Sequence, residues 1–368
     1  MLDFFARKYR RGRAHLPSTP TWGRSKETPT ASRSRAGSGL LPGNPVAEPS
    51  QISAEALLHC PDCQVSLARR SDAYVCPSCG RSFPEVRGIV RFVDESNYAD
   101  SFGYQWRRFE RTQLDHGGRS LSEEDFIRKV RVRPEDFKGK LVLDVGCGMG
   151  RFAEVATRWG ARVVGIDLSA AVEVATKNLA DRDFVAFQAD VFSLPFLPGT
   201  FDCIYSMGVL HHTPDCEKAV KTLAQYLKPG GMLAVWLYSG YNKWYRFSDQ
   251  YRKITHRMSP RVLHRFFSFA VPVLYWLDRG LRVIPVAGKP VAGLVHHVFP
   301  VNRHPDPEVR VLDTLDWYSP KYQSKHTYEQ VFRWFESCGL EELSVGEFPV
   351  GVRGRKPLRG EPLTSRGT

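Results

Sequence analysis

The run Leu141-Val-Leu-Asp144-Val-Gly146-Cys-Gly148-Met-Gly150-Arg-Phe152 constrains this chain more than any other. An apolar strand over 141–145 enters a glycine-rich turn that opens a helix over 151–159, stopped by Gly160. Glycines let a ligand approach the backbone, and a helix N-terminus favours a carboxylate or phosphate. Strands are expected again at 162–166, 184–188, 201–206 and 232–238, with a helix at 170–179. Thr213 is expected to cap another helix, with Pro214 at its first position and Asp215 and Glu217 in its first turn. Lys228-Pro-Gly-Gly231 ends that helix. Strands alternating with helices imply a parallel sheet covered on both faces, an α/β doubly wound domain.

Two more acids give the glycine turn a context. Asp167 closes the next strand, 23 residues after Asp144, where a carboxylate can accept hydrogen bonds from both ribose hydroxyls of an adenosine. Asp190 follows the third strand and can accept from an adenine amine. A nicotinamide enzyme shows G-x-G-x-x-G/A; here Gly150 arrives one residue early and Arg151 and Phe152 follow.

Residues 140–238 resemble the class I S-adenosylmethionine-dependent methyltransferases, especially the group that includes ubiquinone- and menaquinone-biosynthesis enzymes. The resemblance implies a Rossmann-like doubly wound sheet with S-adenosylmethionine as cofactor. It makes Asp144, Gly146, Gly148 and Gly150 the cofactor loop, Asp167 the ribose acid and Asp190 the adenine acid, and it adds Leu168, Val191 and Met207 to the cofactor contacts. The segment from Phe201 to His212 resembles the fourth strand, whose end borders cofactor and substrate, and Lys228–Gly231 resembles the turn before the fifth. His211 and His212 are therefore the catalytic candidates: one can accept a nucleophile's proton, and either can equally pack beside the loop. The expected reaction is O- or C-methylation of a small or lipid-linked molecule. Two rivals stand beside it: an rRNA or tRNA methyltransferase with a zinc ribbon, and a non-catalytic binding protein on this fold. No Asn-Pro-Pro-Tyr-type run follows the fourth strand, which disfavours the first rival, and the three acids disfavour the second.

Cys60-x-x-Cys63 and Cys76-x-x-Cys79, twelve residues apart, read as a structural zinc ribbon with no open coordination position. His59 beside them reads as a surface residue. The remaining cysteines, Cys147, Cys203, Cys216 and Cys338, read as buried packing residues, so the chain fits a reducing, cytoplasmic compartment.

The expected organisation is a disordered basic tail (1–50), the ribbon (57–93), a helical connector (94–138), the cofactor-binding core (139–239), a helical basic-aromatic insert (240–325), the last part of the core (326–350) and a second basic tail (351–368). A transit peptide remains an alternative for the first tail. In the last part, Thr327 and Gln330 suggest a capping box and 343–350 a strand. The formal net charge of +13 is concentrated in the tails and the insert, and the rest of the chain is net acidic. A uniformly basic nucleic-acid-binding body is thus not indicated. Residues 240–300 carry ten Lys/Arg against Asp249 and Asp278, interleaved with aromatics. They suggest either a packed lid or peripheral contact with an anionic membrane. Within them a helix is expected from Ser259-Pro260 to Gly280, kinked at Pro272.

Overall fold

The computed structural model describes residues 54–94, 97–115, 120–241 and 246–358. The first expected tail and most of the second lie outside these residues.

The period-two alternation of β5 (Leu141–Val145) sets the layers. Val142 faces a core with Phe126, Val130, Ala153 and Ala156 from helices α2 (Leu121–Val130) and α3 (Arg151–Arg158). Leu143 and Val145 face the opposite core, with Ala219, Val220 and Leu223 of α5 (Cys216–Gln225) and Val331 and Phe335 of α10 (Tyr328–Ser337). Around β5 lie β6 (Arg162–Asp167), β7 (Phe184–Gln188), β8 (Phe201–Met207) and β9 (Leu227–Trp236), all parallel, with α4 (Val172–Asn178) between β6 and β7. The last strands among the described residues are β10 (Glu341–Val345) and β11 (Gly351–Arg355), and the seven-stranded order is β10-β11-β9-β8-β5-β6-β7. The doubly wound α/β sheet is the expected fold class.

Several local expectations need correction. The helix expected to end at Lys228–Gly231 already ends at Gln225, and those residues belong to β9. Thr213 does not cap α5: its hydroxyl donates to Leu210 O at 2.6 Å, closing a short turn. Asp215 caps instead, accepting from Lys218 N at 2.9 Å, so the helix begins at Cys216. The strand expected at 343–350 ends at Val345; the chain then turns back, and a second strand begins at Gly351. β11 then pairs antiparallel with β9, from Gly351 against Trp236 to Arg355 against Met232, so the expected second tail begins later than 351. Gly280 does not end its helix, which runs from Pro260 to Val283. The Thr327/Gln330 capping box is present.

The cysteine unit is a four-stranded antiparallel sheet of β1 (Ala68–Arg70), β2 (Ala73–Val75), β3 (Ser82–Val86) and β4 (Ile89–Val90). Its Leu58, Tyr74 and Phe83 share a core with Leu194 and Phe196. It also reaches the outer edge of β7, where Phe92 N donates to Gln188 O at 2.8 Å. Buried Arg91 bonds Gln188 Oε1 at 2.9 Å and Glu173 at 2.7 Å. Helix α1 (Asp100–Arg108) follows.

The insert consists of α6 (Arg246–Thr255), α7 (Pro260–Val283), α8 (Gly288–Val298) and α9 (Pro307–Tyr318). It has its own core of Leu263, Phe267, Val271, Val301, Leu315 and Tyr318. The chain leaves and re-enters the sheet at one place: His326 N donates to Tyr238 O at 2.9 Å and Gly240 N to His326 O at 2.7 Å. No helix among the described residues is long and apolar enough to cross a membrane.

Candidate active site

The carboxyl ends of β5, β6 and β8 converge at one mouth. Gly146 and Cys147 donate their N–H groups to Ile166 O at 2.7 and 3.0 Å, which folds the turn after β5 over the end of β6. Asp167 Oδ2 accepts from Gly148 N at 3.0 Å, while Oδ1 accepts from Ser169 N and Oγ at 2.8 and 2.7 Å. The turn and the acid expected to hold a ribose are thus joined. Burial raises the Asp167 pKa, and those hydrogen bonds oppose the rise. Gly148 has φ +53°, and a Cβ there would stand 3.1 Å from the Trp106 indole of α1. At Gly146, φ +76°, a Cβ would lie 2.3 Å from Val209. Both positions therefore need glycine for packing within the chain as well as for backbone conformation.

Asp144 points to the same face as its parallel-register neighbour Tyr205. Its Oδ2 and the Tyr205 hydroxyl are buried with no hydrogen-bond partner. Burial pushes the Asp144 pKa up to about 8; the Tyr205 hydroxyl opposes this and the Asp167 charge adds to it. Asp190 lies after β7, where its Oδ1 accepts from Phe192 N at 3.0 Å. Burial raises the Tyr98 pKa first, and the charges of Asp190 and Asp167 raise it further. Leu168 O accepts from Asn97 Nδ2 and Gln188 Nε2, both at 2.9 Å. Val191 is buried and Met207 half-buried.

His211 and His212 sit side by side after β8, ring centroids 4.2 Å apart. Both are buried, and burial lowers both pKa values, so both rings are neutral at neutral pH. Their hydrogen bonds assign different tautomers. His212 Nδ1 lies 3.0 Å from the Tyr322 carbonyl and must donate to it, which leaves Nε2 a proton acceptor. His211 Nδ1 accepts from Tyr238 N at 3.3 Å, which leaves Nε2–H a donor. Neither Nε2 has a partner. Tyr238 stacks on His211 at 3.8 Å, and its hydroxyl donates to Asp316 of the insert at 2.6 Å. The sequence reading missed Tyr205, Tyr238 and Asp316. Neither Tyr205 nor Asp316 had a sequence signal: strand register sets the first beside Asp144, and only the returning insert brings the second here.

The cysteine site lies apart from this mouth, in the ribbon. The Sγ atoms of Cys60, Cys63, Cys76 and Cys79 all lie within 4.8 Å of one another, with Cys60 and Cys79 3.8 Å apart. Zinc–sulfur bonds of about 2.3 Å in a tetrahedron put sulfurs about 3.8 Å apart. His59 is no ligand: its nitrogens face Leu57 O and Ser66 Oγ at 3.0 and 3.1 Å.

A methyltransferase-domain family profile matches residues 143–235. A ubiquinone biosynthesis O-methyltransferase of Coxiella burnetii is 31% identical over 157 residues, 41% of this chain and 67% of that relative. Another of that name, from Pectobacterium carotovorum subsp. carotovorum, is 30% identical over 182 residues, 48% of this chain and 73% of that relative. The chain belongs to the class I S-adenosylmethionine-dependent methyltransferases. A solved structure of an S-adenosylmethionine-dependent methyltransferase from Mesorhizobium loti is 30% identical, with TM-score 0.28; the match covers 32% of this chain and 52% of that one.

S-adenosylmethionine is the methyl donor of this methyltransferase, and the mouth fits it. Asp144 Oδ2 is buried without a partner, and a cationic group bound beside it would favour its ionised form. Asp167 ends β6 and Asp190 follows the adjacent β7, so both acids lie on the same side of the sheet's edge.

Proposed function

We propose that this methyltransferase O-methylates a hydroxyl of a small, lipid-linked acceptor, with His212 as the proton acceptor. The observation that carries the reading is the unpartnered His212 Nε2, buried three residues beyond the Val209 that packs on Gly146. The relatives' printed names support oxygen as the methylated atom.

In this reading Asp167 holds the ribose hydroxyls and Asp190 the adenine amine. Asp144 faces the amino-acid end of the cofactor. Gly146, Gly148, Gly150, Leu168, Val191 and Met207 line its bed. When bound, the cofactor supplies a methyl group on a positively charged sulfur. The protein's part is to hold the acceptor oxygen in line with that methyl in a water-poor pocket and to receive the hydroxyl proton. His212 Nε2 takes that proton; the Tyr322 carbonyl and the Asp316 charge stabilise the imidazolium. His211 Nε2–H can donate to the acceptor. The ribbon holds one structural zinc through Cys60, Cys63, Cys76 and Cys79. The enzyme works in the cytoplasm, in peripheral contact with a membrane through residues 240–300.

Methyl-labelled S-adenosylmethionine, incubated with separate lipid, small-molecule and RNA fractions, tests the reading. Label should enter an ether in the lipid fraction, and His212→Gln should slow transfer roughly 10²–10⁴-fold. Label in RNA would replace the reading with the RNA rival. Cofactor binding without transfer to any fraction would favour a binding protein.

A further inference from the structure

Helix α7 carries two apolar stripes, and the described residues of the chain cover only one. Leu263, Phe267 and Val271 are buried against Leu315 and Tyr318 of α9. Val262, Phe266, Phe269, Val273 and Trp276 recur at alternating intervals of four and three residues, which at about 100° per residue puts them on a single face. All five are exposed, from 50% at Val273 to 75% at Phe269. Val283 at 81% continues the stripe, giving it a length of about 30 Å. A contiguous apolar surface of this extent marks an interaction site.

Charge selects the partner. Arg261, Arg265 and Arg279 are exposed along one flank of the stripe, and Arg257 precedes it. The Arg279 guanidinium lies 5.8 and 5.9 Å from the Tyr275 and Trp276 rings. Between residues 253 and 299 Asp278 is the only acid, and it is buried and paired with Arg282 and Arg303 at 2.8 and 2.7 Å. A second copy of the chain would bring like charges together along the seam, where paired helices ordinarily match opposite signs. A nucleic acid leaves the aliphatic and phenyl surface without a counterpart. An anionic bilayer answers both features: headgroup phosphates take the guanidinium groups and the acyl boundary takes the stripe.

We propose that this stripe lies in the headgroup boundary of an anionic membrane, turning the corner between α6 and α7 toward the lipid. The corner residues His256, Met258 and Pro260 form one wall of a cavity of about 330 Å³, with Tyr98, Ser319 and Lys321 on the other. Ser319 Oγ is buried there without a partner, and Asn97, also in the lining, donates to Leu168 O beside Asp167 at 2.9 Å. An acceptor held in the bilayer by its tail thus meets a polar cavity that leads toward the cofactor acids. The inference rests on the lipid-linked acceptor proposed above and adds the surface and the side of entry.

Co-sedimentation of the full chain with phosphatidylglycerol-containing and pure phosphatidylcholine vesicles tests it. Binding to the anionic vesicles alone is expected. Both the Phe269→Ser/Trp276→Ser variant and the Arg261→Glu/Arg265→Glu/Arg279→Glu variant should weaken it at least tenfold, with S-adenosylmethionine affinity by calorimetry unchanged. Bromolipid quenching of tryptophan fluorescence should fall in Trp276→Phe. Unaltered vesicle binding in both multiple variants would overturn the proposal and assign binding to the basic ends of the chain. So would a dimer of the unmodified protein that Phe269→Ser/Trp276→Ser converts to monomer, since the stripe's occupant would then be a second copy. Loss of cofactor binding or of methyl transfer, with vesicle binding intact, would count against the methylation reading instead.

Discussion

Asp144, proposed to face the cofactor, carries a carboxyl whose titration also bears on stability. Its folded pKa, pushed up to about 8, lies above the ordinary carboxylate value of 3.8. Without cofactor, the stability tied to its neutral form is fully present below about pH 4 and is lost as pH rises toward 8. Asp144→Asn removes the titration, so the cofactor-free variant should melt above the parent by a margin that widens between pH 5 and 8. The same change should weaken S-adenosylmethionine by ~1–3 kcal/mol, because the carboxylate that a bound cation would favour is lost. Melting curves across pH, paired with calorimetry, check both signs; a margin independent of pH would show that Asp144 is ionised in the fold. The sequence made this acid legible as part of a cofactor turn. Its burial was not legible, because that depends on Tyr205 arriving from a strand sixty residues away. The histidine pair was likewise visible as a pair, while the division into acceptor and donor comes from Tyr322 O and Tyr238 N.

At the level of elements, hydrophobic periodicity read the sheet well and local capping less well. The five parallel strands follow from apolar runs bounded by glycine and charge. Thr213 misled because two candidate caps stand two residues apart, and the hydroxyl of Thr213 is already used by Leu210 O. Asp215→Ala should therefore cost about 1 kcal/mol and speed hydrogen exchange at the Lys218 amide. Thr213→Ala should leave that amide protected. The reverse pattern would return the cap to Thr213. Gly280 misled because glycine weakens a helix without ending it; a Cβ there would meet nothing within 4 Å. The ribbon strands are too short for periodicity to find, and only the cysteine spacing announced them. Chelation of the proposed zinc should free this unit from Leu194, Phe196 and the edge of β7. Limited proteolysis should then cut first near residues 58–92, while S-adenosylmethionine binding persists; cleavage unaltered by a chelator would exclude a structural metal.

Across the whole molecule, buried neutral imidazoles set the acid limit. His211, His212 and His326 are held below the ordinary value of 6.5 by burial, and His296 is lowered to about 4. Their contribution to stability is present above pH 6.5 and is lost as pH falls below it, since the unfolded chain takes up the protons first. The melting temperature should drop between pH 6.5 and 5, and the drop should be smaller in His296→Gln. An equal drop would remove His296 from the set.

The segment from 241 to 325 begins and ends beside the same bridge, where Tyr238, Gly240 and His326 exchange backbone hydrogen bonds. A stretch whose two ends already touch, and which packs around its own apolar centre, behaves as a cassette. It can be lengthened, shortened or replaced by descent at little cost to the strands it interrupts. On the proposed function, donor handling belongs to the sheet, and the cassette is the part placed to bear on the choice of acceptor. The two can therefore diverge separately: kin with the same sheet and a different cassette should share the donor and differ in the molecule they modify.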